Sequence, residues 1–307
     1  MWTELETDMA ERNFRKPTVE DVDKIREFLK DSGVNCCDYT PANIFLWSMV
    51  YHTQVSITDE ALFVRYMHDG EYYFLFPIVK KHLKNALEML ISFCEETQIE
   101  FKLGVVEPWM FELIDTLYPK QFEVTYHRNG ADYVYKTEHL AKLAGKKYHG
   151  KKNHINKFKK LNEDWSYERI CKENVNDCIA MVKEWCVENE CCNDQSKADE
   201  ICVMINGLCH MDELSLKGGL IRAGERIVAV TMGEEVNENM FVIHFEKAFA
   251  SVQGAYPMIN QQFILNELME YQYVNREEDM GLEGLRKAKE SYHPEFLVEK
   301  GVVKRKK

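Results

Sequence analysis

The chain has 307 residues, with 51 acids against 39 lysines and arginines, a formal net charge of −12 and 45% hydrophobic residues. That length buries a large core and suggests about two domains. The longest apolar runs, IFLWSMVY and YYFLFPIV, have eight residues each, which excludes a membrane-spanning helix of roughly twenty.

Val19, Val22, Ile25, Phe28 and Leu29 fall on one helical stripe closed by DSG, and PANIFLWSM places proline at a second helix start. QVSIT, ALFVRYM and EYYFLFPIV are β-rich runs separated by DE and HDG, which predicts a three-strand antiparallel meander. A helix (KNALEMLISFCEE), a strand (EFKLG), a helix (PWMFELIDTL) and two strands (QFEVTYH, DYVYKT) follow. The second half repeats much of this order. Strand WSYERI leads to helices near 174 to 190 and 197 to 210, then to strands LSLKGGLIR, RIVAVTMGE and MFVIHFE. A helix from Pro257 to Glu270, strand YQYVN and a helix from about Leu282 to Ser291 complete it. The halves share no residue-level identity, so the repeat is one of architecture. The expected organisation is a mixed α+β chain with a first domain over 1–137, a basic connecting helix over 138–164 and a second domain over 165–307.

The opening MWTELETDMAERNFRK carries early acids and no apolar core, so it does not read as a secretory signal, and the cytoplasm is the expected location. Ten cysteines include no C-x-x-C. Cys178 and Cys186 fall in phase with Val175, Ile179, Val182 and Trp185, and Cys202 and Cys209 with Ala198, Ile201, Ile205 and Leu208. The phasing predicts small core hydrophobes in a reduced compartment. A zinc site from Cys186, Cys191, Cys192, Cys209 and His210 is rejected for its irregular spacing, and no metal is expected.

The order helix, helix, three strands, helix, strand, helix is that of the GNAT acyltransferase fold. Three stretches, GKKYHGKKNHINKFKK, HFEKAFASVQGAYPMINQQF and VNREEDMGLEGLRKAKESYHP, together resemble a bacterial family related to the C-terminal domain of phosphatidylglycerol lysyltransferases. The resemblance implies a tandem of two GNAT-like domains. It also implies acyl or aminoacyl transfer, with aminoacyl-tRNA or an acyl-CoA as a co-substrate and no tightly bound cofactor. Full-length lysyltransferases carry a multi-helix membrane portion ahead of the catalytic domain, and these residues include none, which weighs against lipid as acceptor.

In such a fold the amides of a helix N-terminus hold the donor's phosphates. In the second half that loop is Gln253, Gly254, Ala255 and Tyr256, where glycine permits close backbone approach or simply makes a turn. The first-half junction, FPIVKKHLKN, has no glycine, so the second copy is the expected donor site.

Acyl transfer to an amine needs a base and an acid. Glu246 ends the strand flanking the cleft, and His244, two residues earlier, is expected on the same side. Either serves as base, or the two form a buried pair. NREED places Asn275, Arg276, Glu277, Glu278 and Asp279 at the exit of the next strand, where ligands sit in open sheets, and Asp279 is the fallback base. The resemblance implies that Asn275 contacts the donor and that Tyr292 is the acid, at a separation of seventeen residues that is wide for the fold. LRKAKESYHP looks like the closing helix of the lysyltransferase domain, with Arg286 and Lys289 as carboxylate or phosphate ligands or as part of a solvated face.

The segment 145–160 holds seven lysines and no acid. As a helix it puts Tyr148 and Ile155 on one docking face, with Phe158 about 60° away. Lys146, Asn153, Lys157 and Lys160 lie opposite, and Lys151, Lys152 and Lys159 flank the stripe with stems free to snorkel. Lys151, Lys152, His154 and Lys157 are candidate contacts for tRNA phosphates, an acyl-CoA or anionic lipid, or belong to a solvated helix. The tail VVKRKK extends such a patch or is disordered. Two functions stay open: an acyl or aminoacyl transferase acting on an amine or hydroxyl, and a non-catalytic module that binds a nucleotide, tRNA or lipid headgroup.

Overall fold

The computed structural model describes residues 14–306; the first thirteen, which hold most of the opening stretch read for a secretory signal, lie outside that range, as does Lys307. The chain forms two compact units, one running to Ala131 and resuming at Val298, the other spanning Asp132–Leu297.

The first unit opens with helices Val22–Leu29 and Pro41–Leu46, and the first buries Val22, Ile25, Phe28 and Leu29 on the stripe expected of it. Strands β1 (Gln54–Ile57), β2 (Ala61–His68) and β3 (Glu71–Phe74) form the antiparallel meander. The third β-rich run does not stay one strand. Pro77 lacks the N–H that a continuing ladder needs, and beyond it β4 (Ile78–Val79) pairs back onto β2. Helix Leu83–Thr97, β5 (Lys102–Val106), helix Pro108–Leu117 and β6 (Phe122–Tyr126) follow. The path through the sheet is β1, β2, β3, β5, the C-terminal strand Gly301–Arg305, then β6.

The second unit contains β7 (Asp132–Lys136), short helix Thr137–Lys142, basic helix His149–Leu161, β8 (Ser166–Arg169) and helices Val175–Glu188 and Gln195–Cys209. Next come β9 (Lys217–Ala223), β10 (Arg226–Asn237), β11 (Met240–Ala248), helix Ala255–Glu267, β12 (Tyr273–Asn275), helix Glu283–Glu290 and β13 (Phe296–Val298). The path is β13, β7, β12, β11, β10, β9, β8. The uninterrupted buried run Ile227–Glu234 marks β10 as a central strand covered on both faces.

Each unit therefore has the GNAT-like order, and the chain is an α+β tandem of that fold. The expected boundaries need correction. The last strand of each half joins the other half's sheet: β7 lies between β12 and β13, and the C-terminal strand lies between β5 and β6. The division thus falls after Ala131 rather than at 137, and most of VVKRKK is an ordered strand, with Lys304 opposite Glu123 and Arg305 opposite Phe122. The basic helix is part of the second unit, because Ile155 and Phe158 are buried and the helix packs on Ala255–Glu267.

The ten cysteines are free thiols. Cys178 is buried as expected, but Cys202 and Cys209 are exposed, because helix Gln195–Cys209 turns Ile201, Met204 and Leu208 inward instead. Among the described residues no helix is long and apolar enough to cross a membrane.

Candidate functional site

In the second unit β11 and β12 run parallel from Met240 opposite Tyr273 to Val242 opposite Asn275, where β12 ends. Glu246 lies on β11 beyond this paired stretch. Its Oε2 accepts from Asn260 Nδ2 at 2.9 Å, and its Oε1 accepts from Arg276 Nη2 at 3.0 Å. Both members of the ion pair are largely withdrawn from water, with side chains 12% and 14% exposed. Arg276 lies over the ring of Tyr292 at 4.7 Å and that of Tyr135 at 5.8 Å. Lys151 places its ammonium 4.0 Å from the same Tyr292 ring centroid. Side chains from strands β7 and β11, from the basic helix, from helix Ala255–Glu267 and from the loops that carry Arg276 and Tyr292 thus converge. Two buried polar atoms among them, Arg276 Nη1 and Asn260 Oδ1, have no hydrogen-bond partner among the described residues. Leaving such groups unpaired costs about 1–3 kcal/mol each, more when charged.

Tyr292 reaches Arg276 despite its distance in sequence from the β12 exit. Its backbone carbonyl accepts from Tyr148 OH at 3.2 Å. Burial raises its hydroxyl well above the usual tyrosine range, so it is protonated at neutral pH. Burial, reinforced by Arg276 beside it, pushes the Lys151 ammonium down to about 8. Asn260 and Tyr135 were missed in the sequence. The available signal for Asn260 was an amide within the buried set Met258, Ile259, Phe263 and Ile264.

His244 is not a base. Its Nδ1 lies 2.8 Å from Glu277 Oε1 and its Nε2 lies 3.0 Å from Glu234 Oε1. Burial alone would lower its pKa, but the two carboxylates outweigh it and raise the value to about 10, so both nitrogens carry protons and neither can take another. The expected same-side pairing with Glu246 also fails. Phe245 faces Met232 and Ile243 faces Gly233, so the register skips His244, and this bulge breaks the two-residue alternation. A Cβ on Gly233 would sit 1.8 Å from the Val242 carbonyl oxygen, which is why glycine stands opposite the bulge.

Asp279 is no reserve base either. Arg286 grips it through two bonds of 2.7 and 2.9 Å, Tyr133 OH donates at 2.5 Å and the Gly281 amide at 2.8 Å, and the guanidinium foremost holds the carboxyl far below the usual range. Arg286 is committed to that pair. Lys289 is buried and donates to the carbonyls of Arg276 and Glu278, so it braces the loop that carries Arg276 rather than waiting for a ligand. Asn275 is fully buried; its amide nitrogen donates to Asp132 at 2.9 Å and its oxygen accepts the Glu277 amide at 2.7 Å, which shapes the strand exit.

Gly254 caps helix Ala255–Glu267 in the left-handed region, at φ +87°. The reason for glycine is the chain's own packing. A Cβ there would meet His154 O at 2.3 Å and Phe158 Cβ at 3.0 Å, because the basic helix lies on this turn. The Ala255 amide donates to Val252 O at 3.1 Å, and Pro257 has no N–H, which removes two of the first-turn donors that an anion would use. Gln253 and Tyr256 remain exposed beside it, as do Lys152, His154 and Lys157 on the basic helix. Of the flanking lysines, Lys151 and Lys159 fold back onto aromatic rings, Lys159 over Trp165 at 5.2 Å.

Known proteins share this architecture. Residues 31–303 match the family described as phosphatidylglycerol lysyltransferase, C-terminal. A conserved protein of unknown function from Bacteroides thetaiotaomicron VPI-5482 is 34% identical with a TM-score of 0.91, over 95% of this chain and 99% of that one. L-PGS from Bacillus licheniformis shares the fold at 14% identity and a TM-score of 0.64, over 92% of this chain and 91% of that one. An uncharacterized protein of Mycoplasmoides gallisepticum is 24% identical over 186 residues, 58% of this chain, and the match spans only 57% of that relative's length. The family match runs through both units and includes the bulged strand, the capped helix and the braced loop. The chain belongs to the phosphatidylglycerol lysyltransferase C-terminal family.

Proposed function

We propose that the protein transfers an aminoacyl group from aminoacyl-tRNA to an amine or hydroxyl acceptor, using the Glu246 cluster of the second unit. The observation that carries this reading is the pair of unpartnered buried atoms on either side of Glu246, a donor at Arg276 Nη1 and an acceptor at Asn260 Oδ1. An aminoacyl ester offers the complement of both, a carbonyl oxygen and an α-ammonium, whereas a plain acetyl group offers only the first. The crowded turn at Gly254 favours the same donor, since it withholds two of the first-turn amides that a CoA pyrophosphate would use.

In this reading Arg276 Nη1 donates to the ester carbonyl and to the oxyanion that forms as the acceptor attacks. Glu246 takes the proton from the attacking nitrogen or oxygen. Tyr292, protonated and adjacent, gives its proton to the departing ribose oxygen, which leaves as the hydroxyl as the ester C–O bond breaks, and Tyr292 is reprotonated by the proton that Glu246 took up. Exposed Lys152, His154 and Lys157 meet phosphates of the acceptor stem as point charges.

The test incubates the full chain with tRNA charged with labelled amino acids and, separately, with CoA thioesters, and follows thermal shift and acceptor-dependent deacylation. Stabilisation and deacylation with charged tRNA alone are expected. Consumption of a CoA thioester without any response to charged tRNA would overturn the reading, and binding of tRNA without turnover would assign a non-catalytic module.

A further inference from the structure

The first unit contains a cavity of about 240 Å³ with no counterpart in the reading above. Its wall includes the rings of Trp47, Tyr51 and Tyr66 together with Asp38, Asn43 and Thr53. Trp47 and Tyr51 lie with ring centroids 5.6 Å apart. At one side Lys300 Nζ pairs with Asp38 Oδ2 at 2.5 Å, and Cys37 Sγ approaches the same oxygen at 3.5 Å. Asp38 Oδ1 has no partner in another described side chain. Asn43 spends its amide nitrogen on Cys37 O at 3.1 Å, which leaves its oxygen open. The hydroxyls of Thr53 and Tyr66 make no side-chain hydrogen bond among the described residues either. Room for the Tyr66 hydroxyl is built in, because a Cβ on Gly104 would lie 1.9 Å from it.

We infer that this cavity binds a small molecule through a primary ammonium group. Its open polar atoms are mainly acceptors: a carboxylate oxygen, an amide oxygen and two hydroxyls. Its apolar wall combines Ile44, Val64, Leu75 and Val105 with the rings of Trp47, Tyr51 and Tyr66, and an aromatic ring attracts a cation within about 6 Å. Lys300 offsets much of the Asp38 charge, so recognition rests on N–H donation to these oxygens as much as on net charge. That requirement separates a primary ammonium from a quaternary one, which has no N–H. The volume lies below the roughly 300–1,000 Å³ of drug-sized sites, so the ligand is of single-metabolite size. His68, which also lines the cavity, is drawn to Asp69 at 3.6 Å. The inference rests on the first unit alone, and its failure leaves the reading of the Glu246 cluster untouched.

Titration of the full chain with butylammonium, butan-1-ol and tetramethylammonium, followed by saturation-transfer NMR, tests it. Butylammonium should bind saturably, with the other two at least about tenfold weaker, since one lacks the charge and the other the N–H donors. Trp47→Leu should weaken butylammonium by about three- to tenfold through removal of the ring face. Asp38→Asn should do the same; if it fails to fold because the buried Asp38–Lys300 ion pair is broken, Trp47→Leu and the probe comparison still decide. Equal binding of butan-1-ol, tighter binding of tetramethylammonium, no saturable binding of butylammonium, or an unchanged affinity in folded Trp47→Leu would each overturn the assignment.

Discussion

In the first unit the parallel pair β3 and β5 meets at Phe74 and Leu103 and then opens onto the hydroxyl of Tyr39, which donates to Val105 O and accepts from the Phe76 amide, each at 3.1 Å. In the second, the pair β11 and β12 opens toward Glu246, Asn260 and Arg276, two of which keep a buried polar atom unpartnered. The helix starts differ in the same spirit. His82 caps its helix at φ +61°, a conformation unusual for a residue with a Cβ, whereas Gly254 does so at φ +87° beneath a neighbouring helix. One copy of the fold uses its polar groups to close the gap between its strands; the other leaves a donor and an acceptor there. Fold order alone does not distinguish a site from its filled-in counterpart, but the hydrogen bonding of the two gaps does.

Substitutions on the two sides of this contrast should behave differently. Glu246→Gln and Arg276→Met should each slow aminoacyl transfer by about two to four orders of magnitude, with the melting profile retained in the glutamine variant. Tyr39→Phe should leave the transfer rate unchanged. Single-turnover assays with charged tRNA report both, and equal losses from Glu246→Gln and Tyr39→Phe would erase the functional distinction.

His244→Gln removes a cation from between Glu234 and Glu277 and should cost about 3–5 kcal/mol in denaturant melts, as for any broken buried ion pair. The wild-type contribution also has a definite pH course. With the folded pKa raised to about 10 from 6.5, it is complete below about 6.5 and is lost as pH rises through 10. Lys151 has the opposite slope. Its folded pKa is depressed to about 8, so the unfolded chain holds more protons between there and 10.5, and stability rises with pH across that window. Lys151→Met should flatten that rise in melts run from about pH 7 to 10.5.

Gly254→Ala should cost about 2–4 kcal/mol, combining the left-handed backbone with a clash against His154 O. His82→Gly at the other helix start should instead be neutral or stabilising by up to about 1 kcal/mol. Tyr39→Phe, which strips the bridge across the first gap, should cost about 1–2 kcal/mol in denaturant melts. The smallest effect is expected at the basic helix. Lys152→Glu with Lys157→Glu should leave the fold intact and lower the log–log salt slope of tRNA binding by about one unit for each phosphate that is no longer neutralised. An unchanged slope would make the exposed lysines a solvated face.

Local chemistry in the chain determined its elements. Periodicity marked the helices and strands of both halves, Pro41 and Pro108 sat at helix starts, and the docking face Tyr148, Ile155 and Phe158 was readable at helical spacing. Glu246, Arg276 and Tyr292 were legible as candidates because they sit at a strand end, a strand exit and in a family-like motif. Partnership was not legible. Tertiary structure alone decided that β7 and the C-terminal strand trade sheets, since a strand's alternation records a buried face and not the neighbour that supplies its hydrogen bonds. It likewise decided the fate of each charge. His244, Asp279, Arg286 and Lys289 have the residue types of catalysis and binding but are consumed by Glu234 and Glu277, by one another, or by backbone carbonyls. An ionisable group becomes a site or a brace according to what lies within about 4 Å of it, and those distances come from residues far apart in the chain.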